Sequence, residues 1–241
     1  MASSALTNQD KKHYAPVDKV TDWLCSQIEQ GAKVLEIGPG GVAFPKATQW
    51  IDYITDQPNI PKDRIVYRDL SLQTLPYPDK AFDFIYARHI IEDMFNPILL
   101  LSEMNRVGKA GYIETPSPIA ELGRGVDGAS PAYRGYHHHR FMSWVVGNEL
   151  RLITKYPMVE YIGFAEERTV KWLQEGPRYW NTYYYWKDKI TWSHRQNVVD
   201  FRLDDAAQYG QILNGAMEAS QKASDIFWEK MSEKTPQLLS A

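Results

Sequence analysis

The sequence predicts an α/β protein on a doubly wound, mostly parallel seven-stranded sheet, extended by an aromatic-rich helical insertion and a C-terminal helix. Three observations predict it. Short apolar runs at residues 34–37, 64–68, 82–87 and 111–114 alternate with helix-spaced segments, the order expected of a parallel sheet with helices on both faces. A glycine turn, Gly38-Pro39-Gly40-Gly41, follows the first run directly. Acidic residues close several of the others, which would gather them along one sheet edge.

Taken in order, Val17, Val20, Trp23, Leu24 and Ile28 share one helical face between Pro16 and Gly31. Val34, Leu35 and Ile37 suit a buried parallel strand. Gly38 then tolerates the sharp turn into a following helix, and the turn leaves backbone N–H groups bare for a ligand. Residues 50–55 alternate as a second strand ending at Asp56, and residues 64–68 make a third ending at Asp69. Residues 82–87 form a fourth strand. A helical pattern follows through Ile90, Ile91, Met94, Leu99, Leu100 and Met104, with His89 opening it. Residues 111–114 are a fifth strand, stopped by Pro116.

Beyond it, residues 119–141 read as a long glycine-containing loop ending in Tyr133-Arg134-Gly135-Tyr136-His137-His138-His139-Arg140-Phe141. Long loops inside compact domains are often functional. Residues 143–150 suggest a short helix, and residues 150–156 and 158–164 the last two, antiparallel strands. Trp172, Tyr179, Trp180, Tyr183, Tyr184, Tyr185, Trp186 and Trp192 form the aromatic insertion. Such rings serve first as packing or as an interface, including one between two copies of the chain, and second as substrate contacts. Residues 206–231 read as the terminal helix.

The totals bound the partners. The 241 residues suffice for one large domain: a cofactor-binding half over 14–116, a substrate loop, last strands and insertion over 117–205, and a helix and tail over 206–241. A net charge of −3 without a basic run weighs against nucleic acid. The single cysteine, Cys25, allows no intrachain disulfide. No apolar run is long enough to span a bilayer, and the opening residues lack a basic segment before an apolar core. A cytoplasmic protein without membrane contact is expected.

Ligands of parallel sheets sit beyond the carboxyl ends of the strands, where Glu36, Asp56, Asp69 and residues 87–89 would fall. Two cofactors compete for that edge. Gly38-x-Gly40-x-x-Ala43 fits a loose dinucleotide fingerprint, with Asp56 as the ribose acid. Against it, Pro39 stiffens the turn and Glu36 places negative charge beside the would-be pyrophosphate. A cationic sulfonium cofactor carries no phosphate and tolerates carboxylates around it.

Val34-Leu35-Glu36-Ile37-Gly38-Pro39-Gly40-Gly41 resembles the first motif of class I S-adenosylmethionine-dependent methyltransferases. Residues 75–93, Leu-Pro-Tyr-Pro-Asp-Lys-Ala-Phe-Asp-Phe-Ile-Tyr-Ala-Arg-His-Ile-Ile-Glu-Asp, resemble the later motifs. There the pattern is Leu-Pro-Phe, a turn, Phe-Asp, a strand and His-x-x-Glu-His. The resemblance covers residues 14–116, with Gly-Pro-Gly-Gly in place of the commoner Gly-x-Gly-x-Gly and Asp93 in place of a second histidine. It implies a Rossmann-like sheet and S-adenosyl-L-methionine as cofactor. Glu36, Gly38, Gly40 and Gly41 would hold the methionine part, and Arg88 would also lie at the cofactor. Asp56 would take the ribose hydroxyls, and Asp69 and Leu70 the adenine.

The implied reaction is methyl transfer to an oxygen or nitrogen of a small molecule or sugar-like metabolite. Such an acceptor needs positioning and a base. His89 is one candidate; His138 and His139 are the others. In an extended segment His137 and His139 share one side and His138 faces the other. A metal site is the lesser reading of the triplet, because no second ligand cluster pairs with it by spacing, and the expected site holds no metal. Two rivals stay open: an NAD(P)-dependent oxidoreductase on the same sheet, and a noncatalytic partner subunit that keeps the fold.

Overall fold

The structure is a computed structural model that describes residues 15–54, 59–128, 131–164, 166–195 and 203–233. The described residues fall into two compact units. One comprises Asp18–Thr115 with Tyr184–Thr191; the other comprises Pro116–Tyr183 with the described residues before Asp18 and after Thr191.

The first unit carries the main sheet. Helix α1 (Asp18–Gln27) precedes β1 (Val34–Ile37), β2 (Gln49–Asp52), β3 (Ile65–Tyr67) and β4 (Phe84–Arg88); α2 (Pro97–Val107) leads into β5 (Ala110–Pro116). The sheet runs β3-β2-β1-β4-β5-β8, with β8 at Asn181–Lys187, and β1 to β5 are mutually parallel. An α/β, Rossmann-like sheet is therefore present, with its order reversing between β1 and β4. All four residues of β1 are buried, as expected of a strand flanked on both sides.

Among the described residues the sheet has six strands, against an expectation of seven. Residues 38–48 cross from β1 to β2 through turns alone, and among the described residues no helix lies between β1 and β4. Compact turns make the first of these crossovers. One brings the Phe44 N–H back onto Glu36 in β1. The expected helix after β4 also begins later. Pro97 occupies its first turn, and the Asn96 side chain accepts the Leu99 N–H as its cap. Both features define a helix start.

The second unit holds α3 (Pro118–Leu122), β6 (Phe141–Val146), β7 (Glu149–Thr154), α4 (Glu166–Gln174), β9 (Thr191–Arg195) and α5 (Leu203–Glu233). Its three-stranded sheet runs β6-β7-β9. Residues 143–150 are a hairpin, not a helix: β6 and β7 pair antiparallel, and Val146 faces Glu149 across Gly147-Asn148. Gly147 takes φ +60°, which a two-residue hairpin turn requires. Residues 158–164 are not a strand either, since Pro157 opens a 3-10 turn over Pro157–Tyr161. Met142, Trp144 and Ile153 pack with Ile119, Leu122, Leu173, Trp180, Tyr209 and Leu213 in this unit's core.

The aromatic insertion is mostly strand. Trp180, Tyr184 and Trp186 are at most 2% exposed, so these three supply core, the packing role expected of such rings. Burial of such rings is among the largest single contributions a side chain makes. No described helix is long and apolar enough to cross a membrane.

Candidate active site

The strand register sets the site's floor. Trp50, Glu36, Tyr86 and Tyr112 stand in one row across β2, β1, β4 and β5, and Arg88 and Glu114 form the next row on β4 and β5. Glu36 is 2% exposed. Its Oε2 accepts the Trp50 indole N–H at 2.8 Å, and both of its oxygens accept the Phe44 N–H at 3.0 and 2.9 Å. Phe44 in turn stacks on Tyr86 at 4.3 Å. Burial pushes the Glu36 carboxyl up to about 7, and the Phe44 and Trp50 hydrogen bonds and the Arg88 charge pull it only part of the way back. Glu36 thus ties the turn after β1 to the sheet.

That turn carries the expected glycines. Gly38 has φ +65°, and a Cβ there would lie 1.9 Å from Ile90 Cδ1. Both the conformation and the packing demand glycine. Gly40 and Gly41 are exposed, and a Cβ on either would meet nothing within 4 Å, so bare main chain faces open space.

Beside it stand two carboxylates. Asp52 ends β2, and its Oδ1 accepts the Tyr53 and Ile54 N–H groups at 2.6 and 3.0 Å. Asp69 lies exposed just beyond β3 and accepts the Ser71 N–H at 2.9 Å; the next residue, Leu70, is buried. Asp56 falls outside the described residues. β2 ends at Asp52, three residues before the end the sequence suggests, and this places Asp52 at the strand tip as a further candidate. An aspartate inside a strand pattern disfavours that strand, and that was the signal for its end. Val42, Tyr53, Ile54, Leu72 and Phe95 are large, exposed apolar side chains, and all of them follow the carboxyl ends of β1 to β4.

Arg88 closes β4, and its Nε donates to Glu114 Oε1 at 3.0 Å; the Tyr112 hydroxyl donates to the other oxygen at 2.5 Å. His89 takes φ +53°, a conformation uncommon outside glycine, asparagine and aspartate. Its N–H donates to the Glu114 carbonyl at 2.8 Å, and its Nδ1 lies 3.1 Å from Glu92 Oε1. His89 therefore ends a strand turn and does not open a helix. Glu92 and Glu114, both buried, are further carboxylates the sequence reading did not single out.

Glu36, Gly38, Gly40, Gly41, Asp69, Leu70, Arg88 and His89 all belong to the first unit, whereas His138 and His139 belong to the second. There His139 is 6% exposed, with Nδ1 2.6 Å from Glu121 Oε1, while His138 is exposed. Lys155 Nζ reaches the other Glu121 oxygen and also donates to the carbonyls of Arg134 and Tyr136 at 2.9 and 2.8 Å. The buried Glu121 carboxyl feels desolvation as its largest single influence, yet Lys155 and His139 together outweigh it and hold it below the usual range.

Residues 35–113 match the family model described as a methyltransferase domain. No curated protein matches the chain. Among solved structures, the chain is similar to the YcgJ protein of Bacillus subtilis at 18% identity. That match covers 48% of this chain and 61% of that one, with a TM-score of 0.36. It is similar to a SAM-dependent methyltransferase of Aquifex aeolicus at 15% identity, over 47% and 74% of the two chains, with a TM-score of 0.33. It is also similar to the [4+2]-cyclase SpnF at 16% identity, over 89% and 77%, with a TM-score of 0.36. The chain spans only 61% of the first of these structures. Over residues 35–113, from within β1 to within β5, the chain is similar to the methyltransferase-domain family.

Proposed function

We propose that the chain is an S-adenosylmethionine-dependent methyltransferase that acts on an oxygen or nitrogen of a small molecule or sugar-like metabolite. One observation carries the reading. A glycine turn with exposed main chain leaves β1 at the point where the sheet order reverses, beside two carboxylates at the tips of β2 and β3. Bare N–H groups suit the amino-acid carboxylate of such a cofactor, and Asp52 and Asp69 suit its ribose hydroxyls and adenine amino group. The exposed apolar side chains on the same loops suit the flanks of a flat base. These features favour a donor-rich cation over a pyrophosphate.

When bound, the cofactor supplies a methyl group activated on a sulfonium centre. The protein's own task is to orient the acceptor in line with it and exclude water. For an acceptor that must lose a proton, His89 is the proposed base, with Glu92 orienting its imidazole through Nδ1. A net charge of −3 supports a small acceptor over a nucleic acid.

The test is release of S-adenosylhomocysteine from S-adenosylmethionine across a panel of hydroxyl and amine acceptors. The expected result is turnover with at least one small acceptor. His89→Asn, which keeps the tolerance of positive φ, should lower turnover about a hundredfold or more without weakening the cofactor. An intact, cofactor-binding chain with no turnover on any acceptor would favour the noncatalytic reading instead.

A further inference from the structure

The histidine triplet divides in two. His139 turns into the core against Glu121, whereas the His137 side chain is 53% exposed and faces Asp127. We infer that Asp127, His137 and His138 form a site for a divalent transition-metal ion, a ligand that methyl transfer by the first unit does not call for.

Each of the three offers one donor atom, and the three atoms lie within 4.8 Å of one another. His137 Nδ1 is already 3.2 Å from Asp127 Oδ2. Donors bound at about 2.0–2.1 Å to a tetrahedral ion sit about 3.3 Å apart, so this pair stands at ligand spacing. Rotation of the exposed His138 ring brings in the third.

The backbone that carries His137 and His138 is held before any ion arrives. Arg124 and Arg134 are bridged across its base, and Glu160 accepts from Arg124 Nη1 at 3.0 Å and from the Arg134 N–H at 2.9 Å. Lys155 holds the Arg134 and Tyr136 carbonyls, and Glu121 holds His139, the residue beside His138. Gly135 makes the crossing close. With φ +57°, it lies where a Cβ would come within 2.5 Å of the Glu121 Cα. The backbone beneath the two histidines is therefore fixed beforehand, which preserves affinity.

The donor chemistry selects the class of ion. Two imidazoles and one carboxylate suit zinc, cobalt or nickel, while magnesium and calcium take oxygen ligands. Three protein ligands leave a position for water or another oxygen.

The test uses the full chain after treatment with a chelator, titrated calorimetrically with zinc chloride and followed spectroscopically with cobalt. One ion per chain is expected, with a cobalt spectrum of nitrogen and oxygen ligation. His138→Ala and Asp127→Asn should each weaken zinc binding roughly tenfold or more. The melting temperature of each metal-free variant should equal that of the metal-free parent, which separates lost ligation from lost fold. Absence of one-to-one zinc binding, undiminished binding in His138→Ala, or magnesium binding as tight as zinc would each overturn the site. The titration reads the ion itself, so its outcome is independent of methyl transfer.

Discussion

Glu36 and Glu121 are the same residue at nearly the same depth, 2% and 0% exposed, yet their carboxyls shift in opposite directions. Glu36 receives its hydrogen bonds from neutral donors, a backbone N–H and an indole. Glu121 receives its own from Lys155 and His139. Burial penalises the charged form in both; two directly hydrogen-bonded basic groups reverse the penalty at Glu121, whereas the Arg88 charge only lessens it at Glu36. The two units therefore use a buried glutamate differently. In the first, it shapes the turn after β1; in the second, it cross-links α3, the residue following β7 and the histidine loop.

The comparison breaks most readily at Glu121. Glu121→Gln leaves Lys155, only 6% exposed at its side chain, without its counter-charge. A loss of about 3–5 kcal/mol is expected in denaturant unfolding; a loss under about 1 kcal/mol would refute the cross-link.

Glu36 separates charge from hydrogen bonding. Glu36→Ala strands two buried donors and should cost about 1–3 kcal/mol for each. Glu36→Gln keeps an acceptor within reach of both and should cost far less. Equal losses in the two variants would show that the carboxylate's charge matters after all.

The pH dependence sharpens the contrast, because the signs differ. The Glu36 carboxyl is raised from 4.5 to about 7, so its contribution is complete below pH 4.5 and fades as pH climbs through 7. The loss reaches roughly 3 kcal/mol at most. The Glu121 carboxyl is lowered, so its contribution is complete above pH 4.5 and fades as acid protonates it. Stability profiles of the two glutamine variants against the parent should flatten at neutral pH for Glu36 and in acid for Glu121. A common profile would contradict both assignments.

Smaller effects are expected at the turn itself. Gly38→Ala must hold a positive φ at a cost of about 1–2 kcal/mol and also displace Ile90. Asp52→Asn should weaken S-adenosylhomocysteine by about tenfold, the loss of one charge-assisted hydrogen bond. Unchanged affinity would remove Asp52 from the site.

The sheet and the turn after β1 are legible in the chain, since Val34–Ile37 followed by Gly38 carries both a buried-strand signal and a turn signal in adjacent letters. The Gly147-Asn148 hairpin was equally written there, between β-branched and apolar runs, but a helical reading of residues 143–150 obscured it. The absence of helices among the described residues between β1 and β4 has no such mark, because connections of that length can hold either conformation. Partners such as Glu121 for His139, 18 residues away, and Lys155, 34 away, meet only through tertiary packing. No spacing rule reaches that far, so the histidine triplet could not be divided into its buried and exposed members beforehand.

The most direct test is calorimetric titration of the whole chain with S-adenosylhomocysteine and, separately, with NAD. The account predicts one-to-one binding of the thioether nucleoside, weakened in Gly38→Ala and Asp52→Asn, and no heat with NAD. Binding of NAD without binding of S-adenosylhomocysteine would contradict it.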